Sequence, residues 1–274
     1  MNLKAALADK LAPAELAQLR TSFDIIGTVA ILEVPAALQK RERAIVAAVR
    51  EQHPQLTAIC AKAGARRGRL RLRALRLLDG NSTETVHKEH GCSYFLDARK
   101  VYFSPREATE RLRVSGKVRS GEMVLVPFAG AGPFAILIAK RQPSATVVGI
   151  ELNKDACDYF RENAFRNRVA ERVSVLCGDF TKLAPSFFGS ADRVIMPLPE
   201  SGSRFLPQAL RCLKPGGTVH FYAFEGEETG FAKSEKLVQA AAAKLGRTAR
   251  VTGRTRVHLY GPRVWKVCVD AVIA

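Results

Sequence analysis

A doubly wound α/β domain behind a small α+β module is the fold class that this 274-residue sequence predicts. Three observations carry the prediction. After Pro105, apolar strand-like runs alternate with helix-like segments, the rhythm of a parallel sheet wrapped by helices. The first of those runs, MVLVPF, ends in a bend of small residues, FAGAGPF, that leads into a helix-like stretch. Acidic residues then stand where the next two strands should stop: Glu151 in VVGIELN and Asp179 in LCGDF.

The elements follow in order. The first 20 residues read as a short helix interrupted near Pro13, and DIIGTVAILEVP as a strand or hairpin. Gln39 to Glu51 predicts a helix, with Ile45, Val46 and Val49 apolar among charges. From Lys62 to Arg76, KAGARRGRLRLRALR carries seven basic residues and no acidic one. Arg69, Arg71 and Arg73 alternate with Leu70 and Leu72, the period of a strand with one basic face. A polar turn at 78–82 precedes ETVHKEHGCSYFLDARKVYFSP, extended segments with a bend at Gly91. These pieces form the α+β module, residues 1–100; residues 101–274 form the second domain.

In that domain REATERLRVSGKV predicts an entering helix. MVLVPF and PFAILIAKR follow, then TVVGIEL and ACDYFRENAFR, VSVLCGDF, DRVIMPLP, a helix through FLPQALRCL, and GTVHFYAF. A helix over Ser234–Leu245 precedes RTRVHLYGPRVWKVCVDAVIA, which Gly261-Pro262 breaks into a hairpin. An antiparallel strand at the end of a mostly parallel sheet is expected. Trp265, in an alternating run, is expected in the core.

Charge and composition narrow the partners. A formal balance of +17 favours a polyanion, nucleic acid first, and the arginine run suits phosphates and base edges. Six scattered cysteines without a CxxC pair predict neither a disulfide scaffold nor structural zinc. His87 and His90 lack a second ligand cluster, so no metal is expected. No apolar run reaches a membrane span, and the N-terminus lacks an apolar signal core, which predicts a cytoplasmic protein.

The bend and the acids suggest a cofactor crevice. Gly130 and Gly132 let backbone pass close to a ligand, although a tight strand-to-helix turn needs them as well. Glu151, 19 residues beyond Gly132, can accept both hydrogen bonds of a ribose diol, of NAD or S-adenosylmethionine alike. The missing third glycine of GxGxxG weakens the dinucleotide case. Asp179 can accept from an adenine amino group or cap the following helix. Pro197, Leu198 and Pro199 at the next strand end shape a wall for a flat substrate.

GCSYFLDARKVYFSPREATERLRV, FAGAGPF, VIMPLP and HFYAFEGEE together resemble the archaeal and eukaryotic tRNA (guanine-37-N1)-methyltransferase family, from about Asp24 to the C-terminus. The resemblance implies a class I AdoMet-dependent methyltransferase domain, Rossmann-like, preceded by a small RNA-binding domain. It implies S-adenosylmethionine as cofactor and the anticodon stem-loop of tRNA as partner, bound by a monomer. Glu110, in the ER pair after YFSPR, matches the family's catalytic glutamate. Arg71 is the best match to the arginine near guanine O6, with Arg69 or Arg73 possible in a loose register. Tyr102 and Arg106 match cofactor-side residues, as do Phe128, Gly130, Gly132, Glu151 and Asp179. Arg66, Arg67, Arg69 and Arg73, with Pro197, Leu198 and Pro199, are the expected tRNA contacts. By spacing alone Glu110 would pair with Arg106 four residues earlier, and Tyr102 could be core.

Three departures accompany the resemblance. Pro197 stands where the family has Asn before Leu-Pro, and Val126 stands where Asp usually precedes the bend. The domain that many members use to grip the tRNA elbow has no room here. A wyosine-pathway transferase, moving a methyl or aminocarboxypropyl group, is therefore a rival, as is a non-catalytic RNA-binding relative.

Overall fold

The chain divides into a first unit, residues 1–89 and 93–105, and a second, residues 90–92 and 106–274. The computed structural model describes residues 3–67, 70 and 72–274, with only the backbone of 65–67. In the first unit the short helices α1 (Leu3–Ala6) and α2 (Pro13–Gln18) are separated at Pro13, which opens α2, where a missing N–H costs nothing. Strands β1 (Asp24–Ile26) and β2 (Val29–Leu32) form an antiparallel hairpin. A 3-10 turn over Ala36–Arg41 leads into α3 (Glu42–Gln52), so the helix starts three residues later than its sequence pattern predicts. Ile45, Ala48 and Val49 give α3 an apolar stripe, which packs with Leu3, Leu7, Leu38 and Ile59.

That packing returns the chain as β3 (Ala58–Arg67), parallel to β2, and β4 (Leu72–Asp79) then runs antiparallel to β3. The sheet order is β1-β2-β3-β4, and β5 (Glu84–Glu89) and β6 (Cys92–Asp97) form a separate pair. The basic run is therefore not one strand. β3 ends at Arg67, β4 begins at Leu72, and Arg66 stands opposite Arg73. Alternation with a period of two continues unchanged through a reversal, so it cannot locate one. Arg73 lies on β4, half-buried. Arg69 and Arg71, and the side chains of Arg66 and Arg67, lie outside the described residues.

The second unit begins with α4 (Ala108–Ser115), after a 3-10 turn over Pro105–Glu107. Then come β7 (Met123–Pro127), α5 (Pro133–Arg141), β8 (Thr146–Glu151), α6 (Lys154–Arg166), β9 (Val173–Cys177) and the single turn α7 (Phe180–Leu183). β10 (Ala191–Met196), α8 (Leu206–Cys212), β11 (Leu213–Gly226), α9 (Ala232–Ala243), β12 (Ala249–Gly261) and β13 (Val264–Ile273) complete it. The seven strands order as β12-β13-β11-β10-β7-β8-β9, a class I methyltransferase sheet. β7 and β10 are neighbours from which the chain winds in opposite directions, so the crevice for a ligand opens at their carboxyl ends.

Helix α5 is buried throughout Phe134–Ala139, with Pro133 in its first turn and Lys140 and Arg141 in its last. Leu125, Val148, Val194, Phe221, Val238 and Ala271 join sheet and helices in one core, against which Trp265 packs. The antiparallel strand is not at the sheet's end, contrary to expectation. β13 inserts between β11 and β12. Its residues 266–271 are buried, which suits an interior position, whereas β12 alternates half-buried with exposed residues and takes the edge. Among the described residues no helix is long and apolar enough to cross a membrane.

Candidate active site

The bend after β7 is held in a conformation that most residues avoid. Phe128, Gly130 and Gly132 have φ of 60°, 57° and 86°. For a bulky residue such as Phe128 this costs about 1–3 kcal/mol, and such strain clusters at ligand sites. The Phe128 ring lies against Phe180, with centroids 5.5 Å apart, and Phe205, 4.9 Å apart, which makes an aromatic wall at the strand exits. Gly132 also has a packing task. A Cβ there would lie 2.0 Å from Phe160 Cδ2, and one on Gly149 would lie 2.2 Å from Phe160 Cε1. The ring of Phe160, from α6, fills the space that two glycines on neighbouring segments leave.

Glu151 ends β8 beside this bend. Gly130 N–H donates to its Oε2 at 2.8 Å, and Asn153 N–H donates to Oε1 at 2.8 Å. Both oxygens are thus fixed by backbone, and a carboxylate with about four acceptor positions can take further hydroxyl donors. Asp179 serves as helix cap: its Oδ1 accepts from Thr181 N–H at 2.9 Å and from Thr181 Oγ1 at 2.8 Å. Pro197, Leu198 and Pro199 are half-buried at the exit of β10, where Leu198 N–H turns back to Met196 O at 2.8 Å.

Glu110 is buried at 3 % exposure, and its partner is not Arg106. Arg113 grips it with a fork: Nε donates to Oε2 at 2.7 Å and Nη2 to Oε1 at 2.7 Å. The Tyr222 hydroxyl donates to Oε1 at 2.6 Å. Arg106 lies in the 3-10 turn before α4, so the four-residue spacing of an α-helix does not apply to it. Its side chain is exposed. Burial, with the negative charge of Glu110 nearby, pushes the Tyr222 phenol well above its ordinary range, so it stays a donor. The Tyr222 ring also meets Phe134, centroids 5.9 Å apart, at the start of α5. Glu110 is thereby tied to the bend through a single side chain.

The network continues inward. Arg113 Nη1 donates to Asp270 Oδ2 at 2.7 Å, and Lys117 Nζ donates to the same oxygen at 2.6 Å. His220 stands directly opposite Asp270 across β11 and β13, with Nδ1 2.6 Å from Oδ1. Arg193 Nη1 donates to His220 Nε2 at 2.7 Å. A guanidinium has no acceptor, so Nε2 carries the lone pair and Nδ1–H donates to Asp270. His220 is therefore neutral; burial lowers its pKa, against the opposing pull of Asp270. Burial would raise Asp270, but His220, Arg113 and Lys117 hold it far below the usual carboxylate range. Glu122 closes the chain with a bidentate pair to Arg193. His220, Cys268 and Asp270 bring ligand-type atoms together, but Arg113 and Lys117 already occupy Asp270 Oδ2, which makes the cluster a hydrogen-bond relay.

Tyr102 and Arg73 belong to the first unit, and Tyr102 is 42 % exposed there. The second unit brings together Phe128, Gly130, Gly132, Glu151 and Asp179 at successive strand ends, with Glu110 linked through Tyr222. No sequence motif singles out Arg113, Tyr222, His220 or Asp270. The available signal was polar residues inside apolar strands, in TVHFYAF and VCVDAVI.

Comparison with known proteins gives two family matches. A profile described as the TRM5/TYW2 methyltransferase domain matches residues 85–251, and one described as the TYW2 N-terminal domain matches residues 3–83. Over 260 residues, 94 % of this chain and 77 % of the relative, the sequence is 38 % identical to tRNA (guanine(37)-N(1))-methyltransferase Trm5b of Pyrococcus abyssi. The crystal structure of that protein superposes with a TM-score of 0.87 at 37 % identity, covering 96 % of this chain and 78 % of the other. A tRNA 4-demethylwyosine(37)-methyltransferase, Taw21 of Saccharolobus solfataricus, is 32 % identical over 86 % of this chain and 91 % of its own length. The complex of aTrm5 with tRNALeu superposes with a TM-score of 0.86 at 26 % identity, covering all of this chain and 78 % of the other.

Proposed function

The chain belongs to the TRM5/TYW2 methyltransferase family, and from that premise we propose that it transfers the methyl group of S-adenosylmethionine to N1 of guanosine 37 in tRNA. The geometric observation that carries the reading is Glu110 held by Tyr222 and Arg113 and tied through Phe134 to the bend after β7.

The crevice residues fit this cofactor. Glu151, oriented by the amides of Gly130 and Asn153, is an acceptor for a ribose diol. Phe128, with Phe180 and Phe205 behind it, offers an apolar wall, and Asp179 stands at the next strand end, where its carboxylate would accept from an adenine amino group. Tyr102 and Arg106 we assign to the cofactor side from the family pattern. Bound there, the sulfonium supplies an activated methyl carbon, so the chemistry left to the protein concerns the base. Guanine N1 bears a proton and is a poor nucleophile until it leaves. Glu110 takes that proton, and the charge that moves to O6 is met by an arginine, which we assign to Arg71. Placement of the flipped base supplies much of the acceleration, with Pro197, Leu198 and Pro199 as its wall. The formal charge of +17 supports binding of the anticodon stem-loop through phosphates, with Arg66, Arg67, Arg69 and Arg73 as contacts.

Incubation with unmodified tRNA and methyl-labelled S-adenosylmethionine, followed by nucleoside mass spectrometry, tests the reading. The expected product is 1-methylguanosine at position 37, lost in Glu110→Gln while tRNA and cofactor still bind. An aminocarboxypropyl product, or turnover by Glu110→Gln near that of the parent protein, overturns it. Pro197 favours one second reading, methyl transfer to a wyosine intermediate at the same position, because the amide expected beside the base is replaced by a ring without a donor. A tRNA carrying that intermediate, methylated faster than the unmodified one, would establish it.

A further inference from the structure

A second buried ion pair lies close to Glu110, and proton transfer as described above gives it no task. Lys266 of β13 is 2 % exposed, and its Nζ donates to Glu107 Oε1 at 2.6 Å. Glu107, also buried, occupies the N-cap position of α4. A carboxylate there ordinarily accepts from the first helical amides, yet Glu107 makes no such bond. Its side chain meets the sheet instead. Burial would raise the Glu107 carboxyl, but Lys266 and then Arg111, whose Nη1 is 4.0 Å away, hold it below its ordinary range, so the carboxylate is ionised.

The register fixes what surrounds the lysine. Phe224 stands opposite Lys266 on β11, and Tyr222 stands opposite Cys268, two residues along, so Tyr222 and Lys266 are diagonal neighbours on one face. Lys266 Nζ lies over the Tyr222 ring, 5.1 Å from its centre. The hydroxyl of that ring is the group that donates to Glu110 Oε1 at 2.6 Å. On the other side His258 of β12 stands opposite Lys266, with Nε2 4.0 Å from Glu107 Oε1. One ammonium therefore meets the start of α4 through an ion pair and the phenol that holds Glu110 through a cation–π contact.

We propose that Lys266 is a positioning residue for methyl transfer: it draws electron density from the Tyr222 ring, which strengthens the phenol as donor to Glu110, while its bond to Glu107 ties the start of α4 to β13. The inference rests on the assignment of Glu110 as the base that takes the N1 proton. A positive charge over a ring face polarises the O–H bond, and the effect is large only where water is excluded, as it is around this buried ammonium. The plain alternative is an ion pair that docks α4 on the sheet. Such pairs contribute little net stability, because desolvation offsets the attraction, and an apolar contact would dock the helix as well. Docking also gives no reason for the ammonium to lie over the ring whose hydroxyl holds Glu110.

Full-length Lys266→Met, Glu107→Gln/Lys266→Met, Tyr222→Phe and Lys266→Met/Tyr222→Phe proteins would be compared with the parent. The assay is single-turnover methylation of unmodified tRNA at saturating S-adenosylmethionine, with Kd values and thermal melts alongside. Lys266→Met should slow methylation about 10- to 30-fold, the worth of a desolvated cation–π contact, with both Kd values unchanged. Removing the Glu107 charge as well relieves the unpaired carboxylate, so Glu107→Gln/Lys266→Met should melt above Lys266→Met yet methylate as slowly. In the Tyr222→Phe background, which lacks the hydroxyl, Lys266→Met should change the rate less than about 2-fold. The Cζ resonance of isotope-labelled Tyr222, identified by its loss in Tyr222→Phe, should move in Lys266→Met. Recovery of the rate in step with the melting temperature in Glu107→Gln/Lys266→Met would overturn the role and leave a docking pair. So would equal slowing by Lys266→Met with and without the Tyr222 hydroxyl. A parent protein that methylates no guanosine would strike the function reading itself, and this role with it; a methylating parent matched in rate by Lys266→Met strikes the role alone.

Discussion

Asp270→Asn is the sharpest perturbation of the buried network. Asparagine keeps the volume and an acceptor for His220 Nδ1–H, but it removes the charge shared by Arg113 and Lys117 and turns an NH2 group towards them. Removing one partner of a buried pair costs about 3–5 kcal/mol, because the other charge stays behind. Arg113 and Lys117 retain 22 % and 42 % side-chain exposure, so water relieves part of that, and about 3 kcal/mol is the expected loss. For a unit of this size about 3 kcal/mol lowers Tm by about 6–12 °C. The pH dependence has a definite sign. The folded pKa of Asp270 is depressed, so its stabilisation is complete above the unfolded value of about 3.9 and is lost as pH falls below it. Thermal melts of parent and variant between pH 7.5 and pH 3 should show their widest gap at neutral pH, closing below about pH 4. His220 is also depressed, so both proteins soften as pH falls below about 6.5. A neutral-pH Tm within 2 °C of the parent, or a gap of constant width down to low pH, would refute the electrostatic account.

Tyr222→Phe removes the hydroxyl that orients Glu110; a hydrogen bond to a charged group is worth about 1.5–3 kcal/mol, so single-turnover methylation should slow by about 10- to 100-fold with tRNA Kd unchanged. Equal loss of tRNA binding would show a different role. Glu151→Gln presents an NH2 group to one of two backbone donors, Gly130 N–H or Asn153 N–H, and calorimetry should show S-adenosylmethionine affinity at least about 10-fold weaker. Gly149→Ala drives a methyl into the Phe160 ring and should destabilise by about 1–3 kcal/mol, recovered in part by adding Phe160→Leu. The same rescue should fail for Gly132→Ala, because its φ of 86° remains costly whatever the ring. Denaturant unfolding of the four proteins separates the two causes.

Much of the second unit was legible because its signals are local. Each apolar run ends in a bend or an acid, and Glu151 lies where β8 stops. What was not legible depends on contacts between distant segments. The hairpin of β12 and β13 is visible at Gly261-Pro262, but which strand joins β11 depends on which can be buried on both faces. Gly132 reads as room for a ligand, but its packing against Phe160, 28 residues further on, is not legible locally. Asp179 offered a ligand role and a capping role at once, and the cap is what its Oδ1 makes. Glu110 and Arg106 have helical spacing, yet α4 starts between them, at Ala108. A boundary of two residues redirects the ion pair to Arg113.

The relay beneath Glu110 also bears on why a costly arrangement persists. Buried ion networks add little net stability over apolar packing, since desolvation offsets the attraction. β13 could have been wholly apolar, as its neighbours Val267, Val269 and Ala271 are. Instead Asp270 faces His220 across the antiparallel junction and takes Arg113 from α4, so one carboxylate joins β11, β13 and the helix that carries Glu110. Arg113 is shared: it holds Glu110 with Nε and Nη2 while Nη1 and Nη2 are anchored on Asp270. A guanidinium held at both ends fixes the direction of the Glu110 carboxylate far better than a free i,i+3 pair would, and its planar fork gives no alternative geometry. The network is therefore best understood as orientation of the Glu110 carboxylate, in which specificity of position rather than stability is what the buried charges provide.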